Sequence, residues 1–200
     1  MASFIPVLPI ILRIEGGWVD DPDDTGGETW QGVARNVNPN WPGWLIVDDA
    51  KRRNPIFTQR AYAGKPQELN KLLYGKPGLA KLVSDFYESL YWDVNQLDRV
   101  NNQQLARNVC DCGVNCGTRT GAKMLQRAYN ISRSPFDTPL IEDGKIGHRS
   151  IAAINKANTE VLYNTYNQLR AAYYNAIIAR KPSQSKYRKS WFSRIIPYKP

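Results

Sequence analysis

No segment of this chain convincingly alternates apolar and polar residues, whereas apolar residues recur at helical spacing through most of it. Spacings of three and four line one side of a helix and scatter across both faces of a strand, so the pattern predicts a mainly α fold. In PGLAKLVSDFYESLYW, Leu79, Leu82, Val83, Phe86 and Leu90 share one helical face. LARNVCDCGVNCG does the same with Leu105, Val109, Cys112 and Cys116. TGAKMLQRAYN continues the helical pattern, and a helix over residues 150–158 leads into a long one over 159–180. That last helix is expected to bury Leu162, Tyr166, Leu169, Tyr173 and Ile177. PQELNKLLYG reads as a short helix with Pro66 in its first turn and Gly75 as its stop. The N-terminal apolar stretch predicts a buried helix beginning near Pro9 and ending at Glu15.

One segment breaks the pattern. Residues 16–55 are dense in Gly, Pro, Asp and Trp, with turn signals at DPDD, TGG, NPN and WPG. This reads as an ordered functional loop, with room for a short hairpin. Glu15 stands at its entrance, followed by Gly16 and Gly17, which let the backbone turn sharply. A carboxyl leaning into apolar surroundings is harder to ionise, and a protonated carboxyl is what a general acid needs to donate to a leaving glycosidic oxygen. The alternative is a solvated helix-end glutamate. Asp24, nine positions on, lies in the hydrated loop and is expected to stay ionised, and Thr29 is placed to help it hold water. Asp20, Asp21, Asp23 and Glu28 compete for that second role, since a run of acids in a turn also suits a solvated loop.

Charge is uneven. The net charge is +9, yet residues 1–30 carry six acids against Arg13 alone, and residues 181–200 carry six bases and no acid. A basic body suits a polyanionic partner: nucleic acid, an anionic membrane surface or a bacterial wall. No groove-reading helix signature accompanies the charge, so nucleic acid is not expected. The basic aromatic tail from Pro182 fits either a membrane or wall anchor or a strap packed on the body, and the strap is preferred. The three cysteines, Cys110, Cys112 and Cys116, with one histidine, fit neither a complete disulfide framework nor a zinc site, and read as buried small residues. No metal or cofactor is implied. The N-terminus lacks a basic region and a small-residue cleavage site, so no cleaved signal peptide is expected.

IEGGWVDDPDDTGGETWQGVA resembles the N-terminal signature of glycoside hydrolase family 108, which comprises phage endolysins and prophage lysozymes, some labelled secretion activators. Its glutamate–aspartate–threonine order also resembles that of phage-type α-helical lysozymes, with one residue fewer before the threonine. Tyr91 and Trp92, then Val114, Asn115 and Gly117, then LQRAYN and DGKIG, are similar to the peptidoglycan-binding-like region that follows in the family. The chain departs from that pattern at His148–Arg149, where a proline commonly precedes the helix.

The resemblance implies a lysozyme-like, two-lobed helical fold, with a cleft bounded by the end of the first helix and the acidic loop. It implies a hydrolase lobe over residues 1–98, a peptidoglycan-binding-like lobe over 99–180 and a tail over 181–200. Its catalytic residues would be Glu15, Asp24 and Thr29. Gly16, Gly17, Trp18, Gly27, Trp30 and Asn115 would contact substrate, with Trp41 and Trp44 near the acid and core packing as the other reading for each tryptophan. The expected reaction is hydrolysis of the β-1,4 bond between N-acetylmuramic acid and N-acetylglucosamine in peptidoglycan, in the periplasm or at the wall. A lytic transglycosylase and a non-catalytic wall-binding or secretion-helper protein are the alternatives.

Overall fold

In a computed structural model that describes residues 1–20, 26–54 and 66–200, the chain forms two compact units. One comprises Ile5–Glu88; the other joins Met1–Phe4 to Ser89–Pro200. Both are mainly helical, as the apolar periodicity predicts.

In the Ile5–Glu88 unit, α1 spans Leu8–Glu15, with Pro9 in its first turn and Ile11 fully buried. It stops where expected: Gly16 takes φ 76°, and its N–H donates to the Leu12 carbonyl at 3.2 Å. Three two-residue strands follow, β1 (Trp18–Val19), β2 (Thr29–Trp30) and β3 (Val33–Ala34), in an antiparallel meander. Trp18 pairs with Trp30 and Val19 with Thr29; Thr29 pairs with Ala34 and Trp30 with Val33. Strands this short carry no detectable alternation, which is why only the turn signals hinted at them. Helices α2 (Gly43–Arg53), α3 (Pro66–Tyr74) and α4 (Pro77–Tyr87) complete the unit. Its core gathers Ile11, Trp30, Val33, Val47, Leu69, Leu73, Leu79 and Val83.

The other unit is built on α5 (Gln103–Cys116), α6 (Thr118–Ser132), α7 (His148–Lys156) and α8 (Thr159–Arg180). Asn102 and Asn158 cap α5 and α8 by accepting from the N–H of Leu105 and Val161. Helices α5 and α6 approach closely at Gly113 and Gly121, where a Cβ on Gly121 would lie 3.3 Å from the Gly113 nitrogen. His148 and Arg149 form the first turn of α7, so that helix starts without a proline. Cys110 and Cys112 are buried free thiols, Cys116 is half-buried, and burial pushes the Cys110 thiol up. Residues 98 and 99, between the two expected lobes, lie inside this unit.

The buried face of α8 differs from the one its apolar residues predict. Leu162 and Tyr166 are buried, but Leu169, Tyr173 and Ile177 are only half-buried. The stripe instead runs through Tyr163, Asn167, Arg170 and Tyr174. Arg170, with no exposed surface, donates to Asp111 at 2.6 Å and Asn108 at 2.7 Å. Arg194 reaches the same aspartate at 2.9 Å, from the segment following α9 (Arg188–Ser193). Tyr163 and Asn167 both donate to the Ile196 carbonyl at 2.9 Å, and Trp191 stacks on Tyr174 at 5.4 Å. The tail is therefore a strap, bound by polar groups. Among the described residues, no helix is long and apolar enough to cross a membrane.

Candidate active site

Glu15 is the last residue of α1, half-buried, at the point where Gly16 and Gly17 turn the chain into β1. Gly16 is exposed and, among the described residues, nothing lies within 4 Å of where its Cβ would stand, so backbone is accessible beside the carboxyl. Asn70 of α3 fills the space beside Gly17. Its Oδ1 accepts the Trp18 N–H at 2.6 Å and lies closer to Gly17 than any side chain would permit.

The stem of Glu15 rests against the turn between β2 and β3. Gln31 and Gly32 take φ 45° and 81°, the two-residue turn with both φ positive that suits the twist of a hairpin. A Cβ on Gly32 would stand 3.2 Å from Glu15 Cβ and 3.3 Å from its Cγ, and would overlap the hydroxyl of Tyr87. That hydroxyl donates to the Gln31 carbonyl at 2.8 Å.

Glu28 does not stand free as a second acid. Its side chain, 9% exposed, accepts from Trp18 Nε1 at 2.7 Å, Lys51 Nζ at 2.9 Å and Arg35 at 2.8 Å. Arg35 also forks onto Asp48 at 2.6 and 3.1 Å, which ties the hairpin to α2. Against the desolvation of Arg35, these hydrogen bonds and carboxylate charges hold its pKa above the ordinary value. Glu28 is thus a structural carboxylate. Asp20 is exposed beyond β1, whereas Asp21, Asp23 and Asp24 lie outside the described residues. Thr29 sits in β2 and donates its hydroxyl to the Gly27 carbonyl at 3.0 Å. Gly27 takes φ 66° and packs on the Asn36 side chain.

Trp18, Trp30, Trp41 and Trp44 are 6%, 1%, 8% and 3% exposed, so Trp30 in particular offers no ring face to a sugar. Trp30 packs on Tyr74 at 5.0 Å, and Trp41 meets Trp44 edge-on at 5.2 Å. Their burial fits the packing alternative for Trp18 and Trp30. Asn115 belongs to the other unit, where its Oδ1 accepts from the Tyr174 hydroxyl at 2.8 Å.

Thus Glu15, Gly16, Gly17, Gly27 and Thr29 fall in one unit around the small sheet, and Asn115 does not. Sequence reasoning missed Gln31, Gly32, Asn70 and Tyr87. The Gln-Gly pair between Trp30 and Val33 carried a weak hairpin signal. Nothing local marks Asn70 or Tyr87, whose partners lie 52 and 56 positions away.

Residues 8–117, which carry this arrangement, match the family model described as glycosyl hydrolase 108. The chain belongs to that family. Residues 120–196 match a second model, described as a predicted peptidoglycan domain. A glycosidase region beside such a domain makes this protein a peptidoglycan hydrolase, with peptidoglycan as its partner. Its fold is similar to that in a structure titled "Structure of Brucella abortus SagA". The TM-score is 0.59 and the identity 22%, over 96% of this chain and 88% of the other. No curated protein matches it in sequence.

Proposed function

We propose that this glycoside hydrolase is an N-acetylmuramidase, cleaving the β-1,4 bond between N-acetylmuramic acid and N-acetylglucosamine, with Glu15 as the proton donor. The observation that carries the reading is the seat of Glu15. The carboxyl leaves a helix end half-buried, its stem rests on a glycine, and open backbone lies beside it. A general acid needs a held carboxyl that a substrate oxygen can still approach. Asp24 fills the second role, with Thr29 helping to hold water and stabilise the oxocarbenium-like transition state. Gly16 lets backbone approach the glycan, whereas Gly17 and Gly27 make room for Asn70 and Asn36. The enzyme acts at the wall, where a basic surface concentrates it on anionic polymer.

The test is loss of turbidity of purified peptidoglycan by the parent, Glu15→Gln and Asp24→Asn side by side, with mass spectrometry of the products. Reducing muramic-acid ends and an inactive Glu15→Gln are expected. Undiminished lysis by Glu15→Gln removes the proton-donor assignment. Ends in 1,6-anhydro sugar convert the reading to a lytic transglycosylase, which needs the glutamate and no second carboxylate.

A further inference from the structure

We propose that Tyr87 is a positioning residue for Glu15, acting through the Gln31–Gly32 turn. The inference rests on the reading of Glu15 as proton donor and adds a device that aims it. Gln31 carries a side chain yet takes φ 45°, a backbone state that needs support from its surroundings. Tyr87 supplies that support. Its side chain is 1% exposed, and its hydroxyl donates to the Gln31 carbonyl at 2.8 Å, a bond buried at both ends.

Gly32 then brings Tyr87 and Glu15 to one place. Its φ of 81° favours glycine, and the space a Cβ would fill is taken on one side by the Tyr87 hydroxyl. On the other side it is bounded by Glu15 Cβ and Cγ, at 3.2 and 3.3 Å. The Glu15 stem is therefore stopped by a turn whose position is set from α4. Without the hydroxyl, a buried carbonyl loses its donor and the turn is free to relax toward the stem. Proton transfer depends steeply on geometry, and a displacement of about 1 Å can cost about a hundredfold in rate.

The test compares three full-length variants, Tyr87→Phe, Tyr163→Phe and Glu15→Gln, on soluble, uncross-linked peptidoglycan strands. Tyr163 is the control in the other unit, where it is fully buried and shares the Ile196 carbonyl with Asn167, each donating at 2.9 Å. Each tyrosine variant loses one hydroxyl-to-carbonyl bond, but the Ile196 carbonyl keeps its Asn167 donor, so Tm should fall less for Tyr163→Phe than for Tyr87→Phe. Tyr87→Phe alone should lower kcat about ten- to a hundredfold, with KM within about twofold, and alter the pH–rate profile. Gly32→Ala, whose methyl would lie on the hydroxyl, should reproduce that change. The proposal is overturned if Tyr87→Phe keeps kcat within about twofold of the parent, or if its loss only tracks the unfolded fraction with the pH profile unmoved. An inactive Glu15→Gln beside a fully active Tyr87→Phe removes the positioning role alone. A fully active Glu15→Gln removes the proton donor, and the role of Tyr87 with it.

Discussion

Gly16 and Gly17 are neighbours that are glycine for different reasons. Gly16 sits at φ 76°, ψ −157°, a backbone state nearly confined to glycine, with no described residue within 4 Å of where its Cβ would stand. Gly17 is glycine because the Asn70 carboxamide occupies the place of its side chain. Substituting alanine at Gly16 should lose about 1–3 kcal/mol through the backbone alone. At Gly17 the loss arises by pushing Asn70 off the Trp18 N–H. A double-mutant cycle with Asn70→Ala, read by urea denaturation, separates the two. Gly17→Ala and Asn70→Ala should fall short of additivity by about 1 kcal/mol, whereas Gly16→Ala and Asn70→Ala should add within about 0.5 kcal/mol. Additivity in both pairs would mean that the closeness of Asn70 to Gly17 does not limit the turn.

At the scale of elements, α8 shows how a helix can bury a face that its apolar residues do not mark. The middle of that face is Arg170, which holds Asp111 jointly with Arg194 and reaches Tyr174 at 3.0 Å. Satisfying the ions mutually is what makes their burial tolerable. Arg170→Met should therefore lose about 3 kcal/mol, because Asp111, Asn108 and the Tyr174 hydroxyl each lose a buried partner while Arg194 still holds Asp111. Leu169→Ala, on the stripe expected from apolar spacing but only half-buried, should lose about 1 kcal/mol, below the range for buried leucines. Chemical denaturation of the two variants checks the order. A larger loss at Leu169 would restore the apolar stripe.

Across the whole molecule, the tail's basic composition and its structural role point in different directions. Of its six bases, Arg194 is buried in the Asp111 cluster, whereas Lys181, Lys186, Arg188, Lys189 and Lys199 are exposed. With a net charge of +9, the protein should bind purified wall less tightly as salt rises. At about 0.15 M ionic strength, exposed charges are screened within about 8 Å. Co-sedimentation with peptidoglycan across a salt series should show binding falling steadily. Binding that ignores salt would place recognition in uncharged contacts.

The sequence by itself determined what neighbours along the chain decide. Helical periodicity, the prolines near the starts of α1 and α3 and the glycines after Glu15 are local, so α1, α3 and α8 and the place of Glu15 could be read directly. Only the tertiary structure decided what depends on residues far apart in sequence. It made Glu28 a three-way tie, put Trp18 and Trp30 in the core, and centred α8 on an arginine. It also set Asn70 and Tyr87 around the seat of Glu15. The physical reason is that a polar side chain's role depends on which partner reaches it once burial removes water, and apolar spacing carries no record of that partner.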